Sequence, residues 1–170
     1  MSNIFDLVIK GGTLVNHNGT GLADIGVRDG RIAEIGTLAP QSAGEVIDAK
    51  GLHVLPGVID SQVHFREPGA EHKETLSHGS RAAVMGGVTA VFEMPNTSPL
   101  TTSAEALADK VARGRKGMFC DFDFYVGATR ENVDELGALE RLPGSAGIKI
   151  FMGSSTGNLL VDDEESLSRV

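Results

Sequence analysis

The stretch Gly57-Val58-Ile59-Asp60-Ser61-Gln62-Val63-His64-Phe65-Arg66-Glu67-Pro68-Gly69 constrains the fold more than any other. It opens as an apolar run and then alternates. Asp60, Gln62, His64 and Arg66 share one parity; Ile59, Ser61, Val63 and Phe65 share the other. Residues two apart on a strand face the same side. The alternation therefore predicts a strand with four polar or ionisable groups on one face. Glu67-Pro68-Gly69 ends it, because proline lacks a ladder donor and glycine permits a turn. The polar face is expected at the C-terminal mouth of the strand, where parallel α/β folds keep their chemistry.

Residues 1–55 read differently, as short strands joined by glycine-rich turns. Phe5–Lys10 leads to a turn at Gly11-Gly12 and then Thr13–Val15. Ala23–Val27 and Arg31–Gly36 flank Asp29-Gly30, a strong hairpin signal. Glu45–Ala49 and Leu52–Leu55 continue the pattern. A β-rich, sandwich-like unit follows from this, with the strands as a meander. It is too small to bury a good core alone.

From Pro56 the pattern is strand then helix. Strands are expected at 57–66, 88–94, 121–126 and 147–152. Helices are expected at about 71–85, about 103–116 with Ser103 as N-cap, about 131–141, and after Asp162, with Glu165 as its capping partner. In the second helix Ala106, Leu107, Lys110 and Val111 form one stripe. Alternating units of this kind predict a parallel sheet. Residues 56–170 are about half of the ~250 that a (β/α)₈ barrel takes. Two readings follow: a complete open α/β domain, or the first half of a barrel. An ending early in an amphipathic helix favours the second.

Net charge is −8, with no basic cluster, so nucleic acid and anionic membrane are not the expected partners. No apolar run approaches the ~20 residues that span a bilayer. The single cysteine, Cys120, excludes an internal disulfide framework and suits a reducing cytoplasm. Cys120 opens a strand with no nearby His and reads as structure. No Gly-x-x-x-x-Gly-Lys-Ser/Thr phosphate loop occurs.

The chemistry-bearing candidates are few. Lys149 lies in the fourth strand of the second unit, alternating with Ile148 and Ile150. Burying an ammonium is costly, and burial favours the neutral amine, the form that takes up carbon dioxide. The resulting carbamate has two oxygens able to bridge two cations. His64 is a metal-ligand candidate through neutral imidazole. Gln62, two residues before it, is a weak one, since an amide oxygen is a poor zinc donor beside imidazole. Arg66 offers a planar fork for a carboxylate. Asn96, just past the second of these strands, can both donate and accept. His17, His53, His72 and His78 lack such surroundings; the last two are expected on a helix surface.

Asp60-Ser61-Gln62-Val63-His64-Phe65-Arg66-Glu67-Pro68-Gly69 resembles the metal-ligand strand of the cyclic amidohydrolases, and among them the dihydroorotases. Gln62 departs from that pattern, standing where the first metal-binding His is expected. Met94-Pro95-Asn96-Thr97 and the run Gly147–Gly157 extend the resemblance. It implies a carboxylated, metal-bridging Lys149, one or two zinc ions, and Arg66 and Asn96 on the substrate carboxylate and ring. It also implies a small-molecule substrate and a homo-oligomer such as a dimer. The reaction implied is reversible hydrolysis of dihydroorotate to N-carbamoyl-aspartate, in pyrimidine synthesis. Allantoinase-like relatives lack the Arg, so Arg66 points to a carboxylate-bearing substrate. The family needs two later His ligands and a proton-shuttling Asp, so this stretch alone is expected to be inactive. Two alternatives stand beside it: a hydantoinase- or allantoinase-like enzyme, and a non-catalytic structural homologue suggested by Gln62.

Overall fold

The computed structural model describes residues 4–39, 43–153 and 159–170. They divide into two compact units, one ending at Pro56 and one beginning at Gly57.

The first unit is a sheet of five strands: β1 Phe5–Asn16, β2 Gly19–Arg28, β3 Arg31–Gly36, β4 Ala43–Asp48 and β5 His53–Val54. The order is β3-β2-β1-β4, with β5 also on β1. Asp29 and Gly30 have φ of 52° and 71°, the left-handed pair that a tight β2–β3 hairpin needs. Two expectations are corrected. Gly11-Gly12 is not a turn between strands but lies inside β1, where the register with β2 shifts between Ile9 and Gly12. The sheet is a meander only through β3, since β4 and β5 return parallel to β1. Phe5, Val8 and Leu38 form a small core. Beside them the buried Asp24 carboxylate accepts from Lys10 Nζ at 2.7 Å, Gly11 N at 2.7 Å and Leu38 N at 2.8 Å. The Lys10 bond first, then the two backbone donors, hold its pKa at about 2.

The second unit has β6 Val58–Val63, α1 Leu76–Met85, β7 Val88–Glu93, α2 Ala104–Gly117, β8 Asp121–Gly127, α3 Leu136–Leu139 after a 3₁₀ turn at Val133–Glu135, β9 Ser145–Lys149 and α4 Glu164–Arg169. The strands pair in chain order, all parallel. A helical segment between successive strands carries the chain back, so that each strand lies parallel beside the next. Val91, Phe124 and Val126 of the sheet meet Leu107 and Val111 of α2, with Leu136 and Leu139 of α3 in the same core. Thr75 and Ser103 cap α1 and α2, accepting from His78 N and Ala106 N.

Several sequence boundaries shift. The helix expected from 71 begins at Leu76; the residues before it form turns, so His72 is exposed on a turn rather than a helix. The third helix is only one turn long, preceded by 3₁₀. The last helix is capped by Asp163, not Asp162, through Ser166 N at 2.8 Å. Strand β9 ends at Lys149, and Phe151 makes an isolated bridge to Leu160. Ser154, Ser155, Thr156 and Gly157 of the Lys149 run lie outside the described residues. Among the described residues no helix is long and apolar enough to cross a membrane.

Candidate active site

Strand β6 ends at Val63, and its pairing with β7 slips between Asp60 and Val63. The Asp60 carboxylate accepts from Gln62 N at 3.0 Å, a local turn that competes with the ladder. Strict alternation therefore fails past Asp60. Gln62 is exposed, whereas His64 is half-buried. Arg66 has φ of 65°, a left-handed conformation outside the strand region. The four groups expected on one strand face are split: Asp60 and Gln62 at the strand end, His64 and Arg66 in the loop beyond.

That loop turns back onto the one after β7. His64 Nδ1 lies 2.9 Å from Asn96 Oδ1. With the amide oxygen accepting, Nδ1 carries the proton and Nε2 keeps its lone pair. Burial lowers the His64 pKa; the Asn96 bond opposes this, and nearby Arg66, Lys149 and Lys110 reinforce it. The imidazole is thus held in its neutral, metal-binding form. Lys149, the last residue of β9, is half-buried, and its Nζ lies 5.2 Å above the Phe151 ring.

The loop is held from behind. Phe65 points into the core between its two polar neighbours, and a Cβ at Gly79 of α1 would come within 2.5 Å of its ring. The Phe65 backbone N–H near the Glu93 carboxylate, at the end of β7, favours its charged form. Glu93 forms an ion pair with Lys110 of α2, each only 1% exposed. Lys110 also donates to Met94 O at 3.2 Å and lies 5.0 Å over the Phe124 ring. Burial pushes the Glu93 carboxyl up to about 7, against the pull of Lys110. The same burial pushes Lys110 down. Sequence reading missed this pair. A Lys in the apolar stripe of α2, with a Glu closing an apolar strand, was the available signal.

Glu67-Pro68-Gly69 is clamped on three sides. Glu67 accepts from Leu76 N at 2.9 Å and pairs with Arg113 at 3.3 Å. Ser98 N donates to Pro68 O at 3.0 Å. Gly69 has φ of 99° and a Cβ there would run into Ser98, so the two loops close on each other only with glycine present. Between them lies a cavity of about 490 Å³, with Arg66, Lys73, Asn96 and Thr97 among its lining residues. Arg66 and Asn96 are thus brought together; Lys149 and Gln62 do not line this cavity. Cys120 is half-buried against the core, and burial raises its thiol pKa.

As metal donors these residues are right in kind and short in number. Among the described residues no group of three or more His, Cys, Asp or Glu could hold an ion. One imidazole, one exposed amide and one amine leave zinc short of its usual four ligands. The described residues alone therefore do not complete a metal site.

A loop-borne His and Arg lie at the C-terminal end of a parallel sheet, and Arg66 lines a cavity of mixed polar and apolar residues, the position at which parallel α/β folds bind small molecules. The family model described as dihydro-orotase-like matches residues 51–151. An allantoinase from Desulfitobacterium hafniense is 43% identical over 148 residues, 86% of this chain and 33% of that protein. A dihydroorotase from Methanosarcina mazei is 40% identical over 161 residues, 94% of this chain and 35% of its own. The solved L-hydantoinase (dihydropyrimidinase) of Arthrobacter aurescens superposes with a TM-score of 0.88 at 31% identity, over 97% of this chain and 37% of that one. The chain belongs to the dihydro-orotase-like family of cyclic amidohydrolases. It spans about a third of the length of the curated relatives it matches.

Proposed function

We propose that this chain is the N-terminal part of a dihydroorotase-type enzyme, which reversibly opens dihydroorotate to N-carbamoyl-aspartate. On this reading the β-rich unit of residues 1–55 precedes the first four βα units, 56–170, of a (β/α)₈ barrel. The parallel chain-order pairing from β6 to β9 supports that. The observation that carries the substrate assignment is Arg66. It lines the cavity beside Asn96, and it has no ion-pair partner among the described residues. A guanidinium so placed suits a substrate carboxylate. Asn96, hydrogen-bonded to His64, ties substrate recognition to the imidazole. His64 and Lys149, the latter as a carbamate, are the donors this part of the protein would add to a zinc centre completed from elsewhere in a cytoplasmic homo-oligomer. A bound zinc would supply a polarised carbonyl and an activated water.

In the full-length protein, Arg66→Met is expected to weaken dihydroorotate turnover by about 10–100-fold in kcat/KM. That follows from roughly 1.5–3 kcal/mol for a hydrogen bond to a charged group. Hydantoin, which has no carboxylate, should lose far less. Steady-state kinetics on both substrates decide it. Equal losses would mean that Arg66 is structural.

A second reading, hydantoin or allantoin as substrate, is favoured by the allantoinase and hydantoinase similarities, and the same two-substrate comparison separates it. A non-catalytic role is favoured by Gln62, an exposed amide where the family resemblance puts a His. Purified without added metal, the full-length protein is expected to hold one ion tightly, and Gln62→His to raise the content toward two per chain. Elemental analysis measures this. Two ions in the unaltered protein would remove the case for a non-catalytic role.

A further inference from the structure

The cavity between the 66–73 and 96–100 segments has two ionisable lining residues, Arg66 and Lys73, both cationic. In a chain of net charge −8 that local balance is unusual. No neighbouring acid lines it, although Glu71 is bonded to the lining residue Gly69. Glu67 pairs with Arg113 and accepts from Leu76 N at the start of α1. Glu71 accepts from Gly69 N at 3.0 Å and lies 4.0 Å from Arg113. Glu74 faces His78 at 3.6 Å. Lys73, like Arg66, has no ion-pair partner among the described residues. Its backbone is fixed by Lys73 N donating to Ala70 O at 2.9 Å, and Ala70 N donates to Arg66 O at 2.9 Å. Two successive turns thus link two cationic residues that both line the cavity. A pocket lined by one sign of charge focuses its field on the opposite sign.

We propose that Lys73 is a specificity residue of this pocket, and that the pair Arg66 and Lys73 selects ligands by their negative charge. This rests on the dihydroorotase-type reading above. Hydrolysis of a ring amide breaks the C–N bond. The carbonyl carbon keeps the water oxygen as a carboxylate, the nitrogen keeps one water proton, and the other proton is released. The open-chain product therefore carries one more negative charge than the ring. One cation is enough for a cyclic mono-acid; a second favours the dianion. Lys73 accordingly strengthens binding of N-carbamoyl-aspartate more than of dihydroorotate, and affects hydantoin least.

The test is direct binding to the full-length protein by calorimetry, comparing unaltered protein with Lys73→Gln and Lys73→Arg. Thermal unfolding checks that the exposed substitutions leave the fold intact. For Lys73→Gln the expected losses of affinity are about tenfold for N-carbamoyl-aspartate, about threefold for dihydroorotate and nearly none for hydantoin, shrinking as salt is raised. Lys73→Arg should restore the order. Equal losses for all three ligands, or no loss for the dianion, overturn the proposal. If Arg66→Met still separates dihydroorotate from hydantoin in that case, only the role of Lys73 falls. If it does not, the carboxylate-substrate reading falls with it.

Discussion

Lys110→Met, in the full-length protein, is expected to cost about 3–5 kcal/mol of stability, the usual result of stranding one charge of a buried pair. Glu93 and Lys110 are each 1% exposed, so water cannot solvate the carboxylate left behind. The deficit should depend on pH with a definite sign. Burial already raises the Glu93 carboxyl to about 7, and Lys110 is the main influence pulling it down. Without Lys110 it titrates higher still. A carboxyl raised on folding binds more protons folded than unfolded, so stability falls as pH rises from the unfolded value near ~4.3 toward the folded one. The variant should therefore approach the unaltered protein near pH 4.5 and fall furthest behind it at pH 8. Thermal unfolding at both pH values measures this; a deficit independent of pH would show that lost packing of the Lys110 stem, not the stranded carboxylate, is responsible. Replacing both partners, Glu93→Leu with Lys110→Met, should recover most of the stability.

Lys149→Ala is the second large effect. If Lys149 carries a metal-bridging carbamate in the full-length protein, its loss should exceed the 10–100-fold typical of residues that only support metal ligands. An expected fall of more than about 100-fold in kcat/KM should come with a lower metal content by elemental analysis. Added acetate or propionate should restore part of both, since a small carboxylate can occupy the space and supply two oxygens. Lys149 is only half-buried at the end of β9, so the substitution should move the unfolding temperature little. Unchanged metal content and activity would make Lys149 a strand-end lysine resting on Phe151.

Much of the second unit was legible in the sequence because its signals are local. The strand-then-helix alternation marked four strands and four helices, the third of which is only one turn, and Ser103 marked the start of α2 through its bond to Ala106 N. Asp29-Gly30 marked the hairpin because the backbone there needs two left-handed residues, 52° and 71° in φ. Gly11-Gly12 misled for the same kind of reason: glycines allow a turn, but the chain uses them for a bulge inside β1. Whether a permissive residue turns or bulges depends on partner strands, and no local pattern states it.

The sequence by itself determined the strand-then-helix order from Pro56 and the chemical identity of the candidate donors His64, Lys149, Arg66 and Asn96. It also determined the departure at Gln62. Side-chain chemistry and short-range periodicity suffice for all of these. The tertiary structure alone decided that β6 stops at Val63, leaving His64 and Arg66 in a loop rather than on a strand face. It alone brought His64 to Asn96, 32 residues away, and Glu93 to Lys110 across a helix–sheet interface. It also paired Glu67 with Arg113 and left Arg66 and Lys73 lining one cavity without an ion-pair partner among the described residues. Those outcomes depend on which loops close on which, and on how burial sets the cost of each charge, quantities that exist only once the chain has packed.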